Sequence, residues 1–242
     1  MKAVDRERLS PQDDDLAEKR ITFEGHSPEP KALAGAEQEK SGPHSIFLLS
    51  PANSDGIRAR MLLSPNAQFE LARRLRNSSV PLGEVFSFIS GLYFRGKLAY
   101  AQRFKNPPLG VPGVHIITAT SGLLLPQEPM TLDRLKSISA SKVDAENPEY
   151  RMPLDRDALR LRELVGTQTQ VVLLGSIATE KYAQPLLEVF GDRLLFPKDF
   201  VGRGDMSRGG LLLNCCSTGS ALEYVPVLGA TRRGRRPPKL KL

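Results

Sequence analysis

The chain has 242 residues, 40% of them hydrophobic, and a formal net charge of +7. That is enough apolar material for a sizeable core, yet no apolar run approaches the ~20 residues of a membrane-spanning helix. The absence of Trp and an aromatic content of only 6% argue against an aromatic-lined carbohydrate cleft.

The charge is unevenly placed. Residues 1–43 hold seven Lys/Arg against ten Asp/Glu, and the last twelve residues hold six Lys/Arg and no acid. The first segment, with Asp13-Asp14-Asp15 and scattered prolines, lacks the hydrophobicity to offset the entropy of ordering a chain and is expected to be a disordered leader. Its N-terminus has charges but no apolar stretch behind them, so no secretory signal is expected.

The first strand is expected at Ser45–Ser50, feeding the loop Pro51-Ala52-Asn53-Ser54-Asp55-Gly56. A short helix over Ile57–Leu63 is expected next, then an amphipathic helix marked by Phe69, Leu71, Ala72 and Leu75. Arg73, Arg74 and Arg76 lie in its last turns, where they suit the helix dipole or a phosphate. Pro81–Phe104 reads as helical, with a break or close packing near Gly91 and Gly96 and a second helix from about Arg95. Its aromatic stripe serves either the core or base stacking; Arg95 and Lys97 are the candidate nucleic-acid contacts.

Val114–Ile117 has the β-branched character of a strand buried on both faces. It runs into the small-residue turn Thr120-Ser121-Gly122 and then Leu123-Leu124-Leu125-Pro126. Thr131 is placed to cap a following helix, and Asn147-Pro148 reads as a break. A helix is expected over Asp155–Val165, stopping at Gly166. A third buried strand, Gln170–Leu174, feeds Gly175-Ser176 and a helix over Lys181–Phe190. Free N–H groups at such a join suit an anion.

Leu194–Pro197 is expected as a short strand. The stretch from Val201 to Gly210 holds four glycines with Arg203, Asp205 and Arg208. It reads as a mobile loop laying the two arginines on a phosphate or carboxylate, or as a turn in which Asp205 pairs locally with an arginine. An apolar strand over Leu211–Cys216 is expected after it, then a strand pair within 218–229. Adjacent Cys215 and Cys216 are badly placed for an ordinary disulfide and suggest a reduced, cytoplasmic protein. Residues 231–242 form a basic tail, with Arg232, Arg233, Arg235 and Arg236, whose reach for nucleic acid would be electrostatic and salt-sensitive.

Together these elements predict one α/β domain over about 44–230, with a mostly parallel central sheet flanked by helices. Its ligands are expected at the strand ends: Ser50, Ser121, Gly122, Gly175, Ser176, Arg203, Asp205 and Arg208. Asp55 is the candidate acid/base group, with Asn53 as an orienting amide. No GxGxxG or GxxxxGK[ST] pattern is present and no His/Cys/Asp cluster has ligand spacing, so no cofactor and no metal are expected. His26, His44 and His115 are dispersed, and His115 is expected to be a packed, hydrogen-bonded strand residue.

The order of these motifs resembles the YaaA-type proteins, whose α/β architecture is similar to that of uracil-DNA glycosylases. Ser50-Pro51-Ala52-Asn53 stands where those proteins have Ser-Pro-Ala-Lys. Tyr93-Phe94 leading to Tyr100-Ala101, Gly122-Leu123-Leu124-Leu125-Pro126, and Gly175 before Lys181-Tyr182 follow in the same order, covering about 45–190. The resemblance implies a uracil-DNA-glycosylase-like fold and a DNA-related role. Three functions stay open: a nucleic-acid- or nucleotide-associated protein, glycosidase-like or silent; a protein–protein adaptor; and a small-molecule enzyme acting on an anionic substrate.

Overall fold

The computed structural model describes residues 42–235; the leader up to residue 41, His26 and Arg236 lie outside the described residues. A six-stranded sheet organises the rest. β1 (Ser45–Leu49) lies at its centre, paired in parallel with β3 (Val114–Ile117) on one side and β6 (Gln170–Leu174) on the other. β7 (Leu194–Pro197) runs parallel beyond β6, and β4 (Leu123–Leu124) and β8 (Tyr224–Pro226) close the two edges antiparallel. The order is β4-β3-β1-β6-β7-β8. Every residue of β1 and β3 is buried, which is why both read as continuous apolar runs and not as alternating ones. A separate short pair joins β2 (Val80–Pro81) to β5 (Pro129–Met130).

The crossover from β1 to β3 carries α1 (Ile57–Leu63), α2 (Glu70–Asn77), α3 (Leu82–Ser90) and α4 (Leu92–Phe104). Gly91, at φ +62°, makes the break between α3 and α4. Gly96 does not break α4; it is buried inside it. α5 (Leu132–Ala140) starts at Thr131, whose hydroxyl accepts from the Arg134 amide at 3.3 Å. α6 spans Pro148–Val165 and is longer than the sequence reading, because Asn147-Pro148 starts it instead of breaking it. The Asn147 side chain accepts from the Glu149 amide and Pro148 occupies the first turn, where a missing N–H costs nothing. α7 (Glu180–Phe190) links β6 to β7.

The segment after the glycine-rich stretch departs from the expected strand. Leu211–Cys216 is not a strand; it belongs to α8 (Asp205–Thr218). Its buried residues, Leu211, Leu212 and Cys215, recur at helical spacing, with Asn214 and Ser217 turned to solvent. Cys215 and Cys216 are free thiols within that helix. α8 packs on α4, and α6 packs on α7; right-handed crossovers running in opposite directions from the sheet's centre put these pairs on opposite faces. His115 is buried, with Nε2 2.8 Å from the Pro112 carbonyl, and burial holds its pKa below the usual histidine value. Among the described residues no helix is long and apolar enough to cross a membrane.

Candidate functional site

β1 connects onward to β3 and β6 connects onward to β7, so the two neighbouring strands part company at their carboxyl ends. Such a switch point is where open α/β sheets form their ligand crevice. Ser50, the first residue beyond β1, sits there. Its amide donates to the Leu174 carbonyl at 3.2 Å and its Oγ to the same oxygen at 3.3 Å. Gly175 faces it: a Cβ on Gly175 would meet the Ser50 Cβ at 3.0 Å, so a side chain there would crowd the serine.

Lys97 reaches the switch point from α4. It is only 1% exposed, and its Nζ donates to the Ser50 carbonyl at 2.5 Å and to Ser50 Oγ at 2.8 Å. The ammonium also lies 4.6 Å from the centre of the Tyr93 ring and 4.9 Å from that of Phe94, in cation–π range. Burial pulls its pKa down from 10.5 to about 7, against the attraction of Asp205, with Arg208 adding to the depression. The lysine expected to contact nucleic acid therefore does not reach the surface; it is an interior amine whose pKa burial brings down toward neutral.

Around it stand residues from three helices. Tyr93 is 6% exposed, and among the described residues its buried hydroxyl has no partner at hydrogen-bond distance, the Arg208 guanidinium being the polar group that faces it. Burial raises its pKa to about 12, opposed by the Arg208 guanidinium nearby. Tyr182 of α7 is close enough to feel both Tyr93 and Asp205. Asp205 is exposed and lies 3.8 Å from Arg208. Arg208 donates through Nε and Nη2 to the Phe200 carbonyl at 3.2 and 3.0 Å and stacks on the Phe200 ring at 5.3 Å. The first turn of α8 thus lies within electrostatic reach of the buried amine.

The glycines explain how α8 gets so close. A Cβ on Gly209 would come within 2.9 Å of the Leu92 carbonyl and the Tyr93 Cα, and one on Gly96 within 2.8 Å of the Gly209 carbonyl. Two facing glycines let the α4 and α8 backbones touch, bringing Asp205 and Arg208 within electrostatic reach of Lys97. The stretch expected as a loop over 201–210 is a turn only up to Gly204; from Asp205 it is the start of α8, and its Gly209 is a packing seam. Lys97 could have been placed in the sequence by the same logic: Tyr93, Lys97 and Tyr100 at i, i+4 and i+7 share one helix face, and both tyrosines are core residues.

The other site candidates are more scattered. Asp55 is exposed and its amide donates to Asn53 Oδ1 at 3.1 Å, a local Asx turn. Among the described residues no hydrogen bond or ion pair joins Asp55 to Arg203 or Arg208. Arg203 donates to the Asp199 carbonyl at 2.9 Å and to Ser207 Oγ at 3.2 Å, bracing the turn into α8. Ser121 and Gly122 build the hairpin between β3 and β4: Thr118 donates twice to the Gly122 carbonyl, and the Ser121 amide donates to Thr118 Oγ1. Asp157 Oδ2 caps this turn by accepting from the Leu123 amide at 3.0 Å. Ser176 Oγ accepts from the Ala178 amide at 3.3 Å, half-buried at the rim of the switch point. Arg232 pairs with Glu180 at 3.0 Å, while Arg233 and Arg235 are exposed.

Chemically, the centre offers an amine that can carry or give up a proton at neutral pH, 2.8 Å from a serine hydroxyl. Neutral, the amine is a base for that hydroxyl; charged, it is a buried cation whose field an anion at the rim would meet with little screening. A cavity of about 880 Å³ opens beside Thr120 between α5 and α6, lined by Glu149, Met152 and Arg156 among others. It does not include Ser50, Lys97 or Tyr93. Among the described residues no cluster of His, Cys, Asp and Glu is arranged to hold a metal ion. Compared with protein-family models, curated proteins and solved structures, the chain gives no match.

Proposed function

We propose that the chain is a nucleotide- or nucleic-acid-associated protein that takes a phosphate-bearing, nucleotide-like ligand where the carboxyl ends of β1 and β6 diverge. One observation carries this reading: a wholly buried lysine is bonded to the first residue beyond the central strand. Taking an ammonium out of water costs several kcal/mol unless something compensates. Ser50 supplies two acceptors, and Asp205 lies toward the exposed side. An anion seated over Ser176 and the start of α8 would complete the compensation and draw the Lys97 proton population up. The resemblance to YaaA-type proteins points to the same turn, since Ser50-Pro51-Ala52 opens the motif that carries it.

Calorimetric titration with a nucleoside monophosphate at pH 6 and pH 9 tests this. The expected result is tighter binding at pH 6, proton uptake on binding near pH 7–8, and loss of both in Lys97→Met. Absence of binding in the wild type, or unchanged affinity in Lys97→Met, would overturn it. The 2.8 Å Lys97–Ser50 contact favours a second reading, an enzyme acting on an anionic substrate through Ser50. Under that reading Ser50→Ala retains ligand binding and loses turnover.

A further inference from the structure

The side of the molecule formed by α1, α3 and α4 holds a cavity of about 470 Å³ that the switch-point site does not use. It is lined by Arg58, Met61, Ser87, Phe88, Gly91 and Arg95. Arg58 and Arg95 are both exposed, and among the described residues neither makes an ion pair with a carboxylate. This sets them apart from arginines on the neighbouring α2: Arg73 pairs with Glu70 at 3.3 Å and Arg74 with Glu84 at 2.7 Å. The Arg58 guanidinium is held across the groove by one bond to the Phe88 carbonyl at 3.4 Å. It lies where a side chain on Gly91 would stand, so the glycine that breaks α3 from α4 also makes room for it.

Between the two cations the lining is apolar. Phe88 is half-buried and stacked on Phe69 at 5.1 Å, which fixes its ring, and Met61 is exposed on α1 with Ile57 beside it. Two guanidiniums and an aromatic ring in one open groove match a ligand that alternates phosphates with flat bases. Arginine binds phosphate oxygens in a bidentate fork, and bases stack on aromatic side chains without sequence preference.

We propose that this groove binds single-stranded nucleic acid, with Arg58 and Arg95 each on a phosphate and a base against Phe88 and Met61. A duplex would offer the arginines its phosphates but keep its bases stacked away from the apolar floor. Inorganic phosphate would leave that floor unused. The inference rests on the nucleotide- or nucleic-acid reading given above, and it concerns a different surface: Arg95 and Lys97 leave α4 on different sides, one exposed and one buried.

The test is fluorescence anisotropy of a labelled twelve-residue oligothymidylate with the full chain, across a salt series. Arg58→Ala/Arg95→Ala and Phe88→Leu are compared with the wild type, and a chain lacking residues 236–242 serves as control. The double arginine variant is expected to weaken binding at least tenfold. The slope of log affinity against log salt should become shallower by about 1.4, at ~0.7 per single-strand phosphate contact. Phe88→Leu should weaken binding several-fold with the slope unchanged. Thermal midpoints near that of the wild type establish that the variants are folded. The inference is overturned if the wild type does not bind the oligomer, if the slope is the same in the double variant, if removing 236–242 abolishes binding, or if duplex of the same length binds as tightly. Mononucleotide binding at Lys97 should be unaffected by the double variant; its absence from the wild type alongside the slope change would overturn the switch-point reading and leave the groove standing.

Discussion

Replacing Lys97 with methionine tests the buried amine through stability, without needing a ligand. In the folded chain the amine's pKa is about 7, against 10.5 when exposed. Between those values the unfolded chain holds a proton that the folded chain has released, so stability rises with pH across that window. Below about 7 both states are protonated and the full penalty of the buried charge is in force. The rise between pH 7 and 9 is on the order of 2–3 kcal/mol, at 1.36 kcal/mol per unit. Methionine fills a similar volume and does not titrate. It also removes the bonds to Ser50, which costs about 1 kcal/mol each but shifts the comparison by a constant. Urea unfolding of wild type and Lys97→Met at pH 6, 7, 8 and 9 gives the stability difference at each pH. That difference should move in favour of the wild type as pH rises, with most of the change above pH 7. A difference that stays flat within about 0.5 kcal/mol would mean the amine titrates normally, and the account of the site would fail.

Gly209→Ala should destabilise the fold by roughly 1–3 kcal/mol, because its methyl group meets the Leu92 carbonyl and Tyr93 Cα. Gly210→Ala, one residue on in the same helix with open space around it, should stabilise by up to ~1 kcal/mol; urea midpoints of the pair check both signs. Gly122→Ala should cost roughly 2–4 kcal/mol, since Gly122 is at φ +63° and a Cβ there runs into Asp157 and the Pro153 carbonyl. Asp157→Ala, which leaves the Leu123 amide without its acceptor, should cost about 1–3 kcal/mol by the same assay.

The sheet was largely legible because its inner strands are buried on both faces, and burial on both faces writes a run of apolar residues; only Leu211–Cys216, inside α8, imitates such a run, and so reads as a strand. β1, β6 and β7 follow such runs closely. The errors fall where one residue type serves two purposes. Asn-Pro both ends chain segments and starts helices, and at 147–148 only the hydrogen bond from the Glu149 amide decides which. Glycine marks loops in most contexts, yet at Gly209 it marks a helix pressed against another helix. The partner glycine lies in α4, far away in sequence, so the reason for Gly209 is tertiary and local pattern cannot hold it. The candidate site divides the same way. The positions of Ser50, Gly175 and Ser176 at strand ends were readable, whereas the burial of Lys97 was signalled only by Tyr93 and Tyr100 on the same face of α4.

That burial links fold to chemistry in one direction. At an ordinary helix–helix distance of 8–10 Å interdigitating side chains keep the seam dry; α4 and α8 meet backbone to backbone instead, and moving them apart with nothing to fill the space would admit water and let the Lys97 pKa return toward that of a free lysine. The two glycines remove that space, so water is excluded, the amine's charge is penalised, and its remaining hydrogen bonds concentrate on Ser50. The close approach also brings the α8 N-terminal turn, with Asp205 and Arg208, within electrostatic reach of the amine. A larger residue at either glycine would therefore change two properties together, the packing of α8 and the protonation of Lys97. Gly209→Ala should accordingly raise the Lys97 pKa toward 10.5 and flatten the pH dependence of stability above pH 7. Loss of stability with the pH dependence intact would show that the seam holds the helices together but does not set the chemistry of the amine.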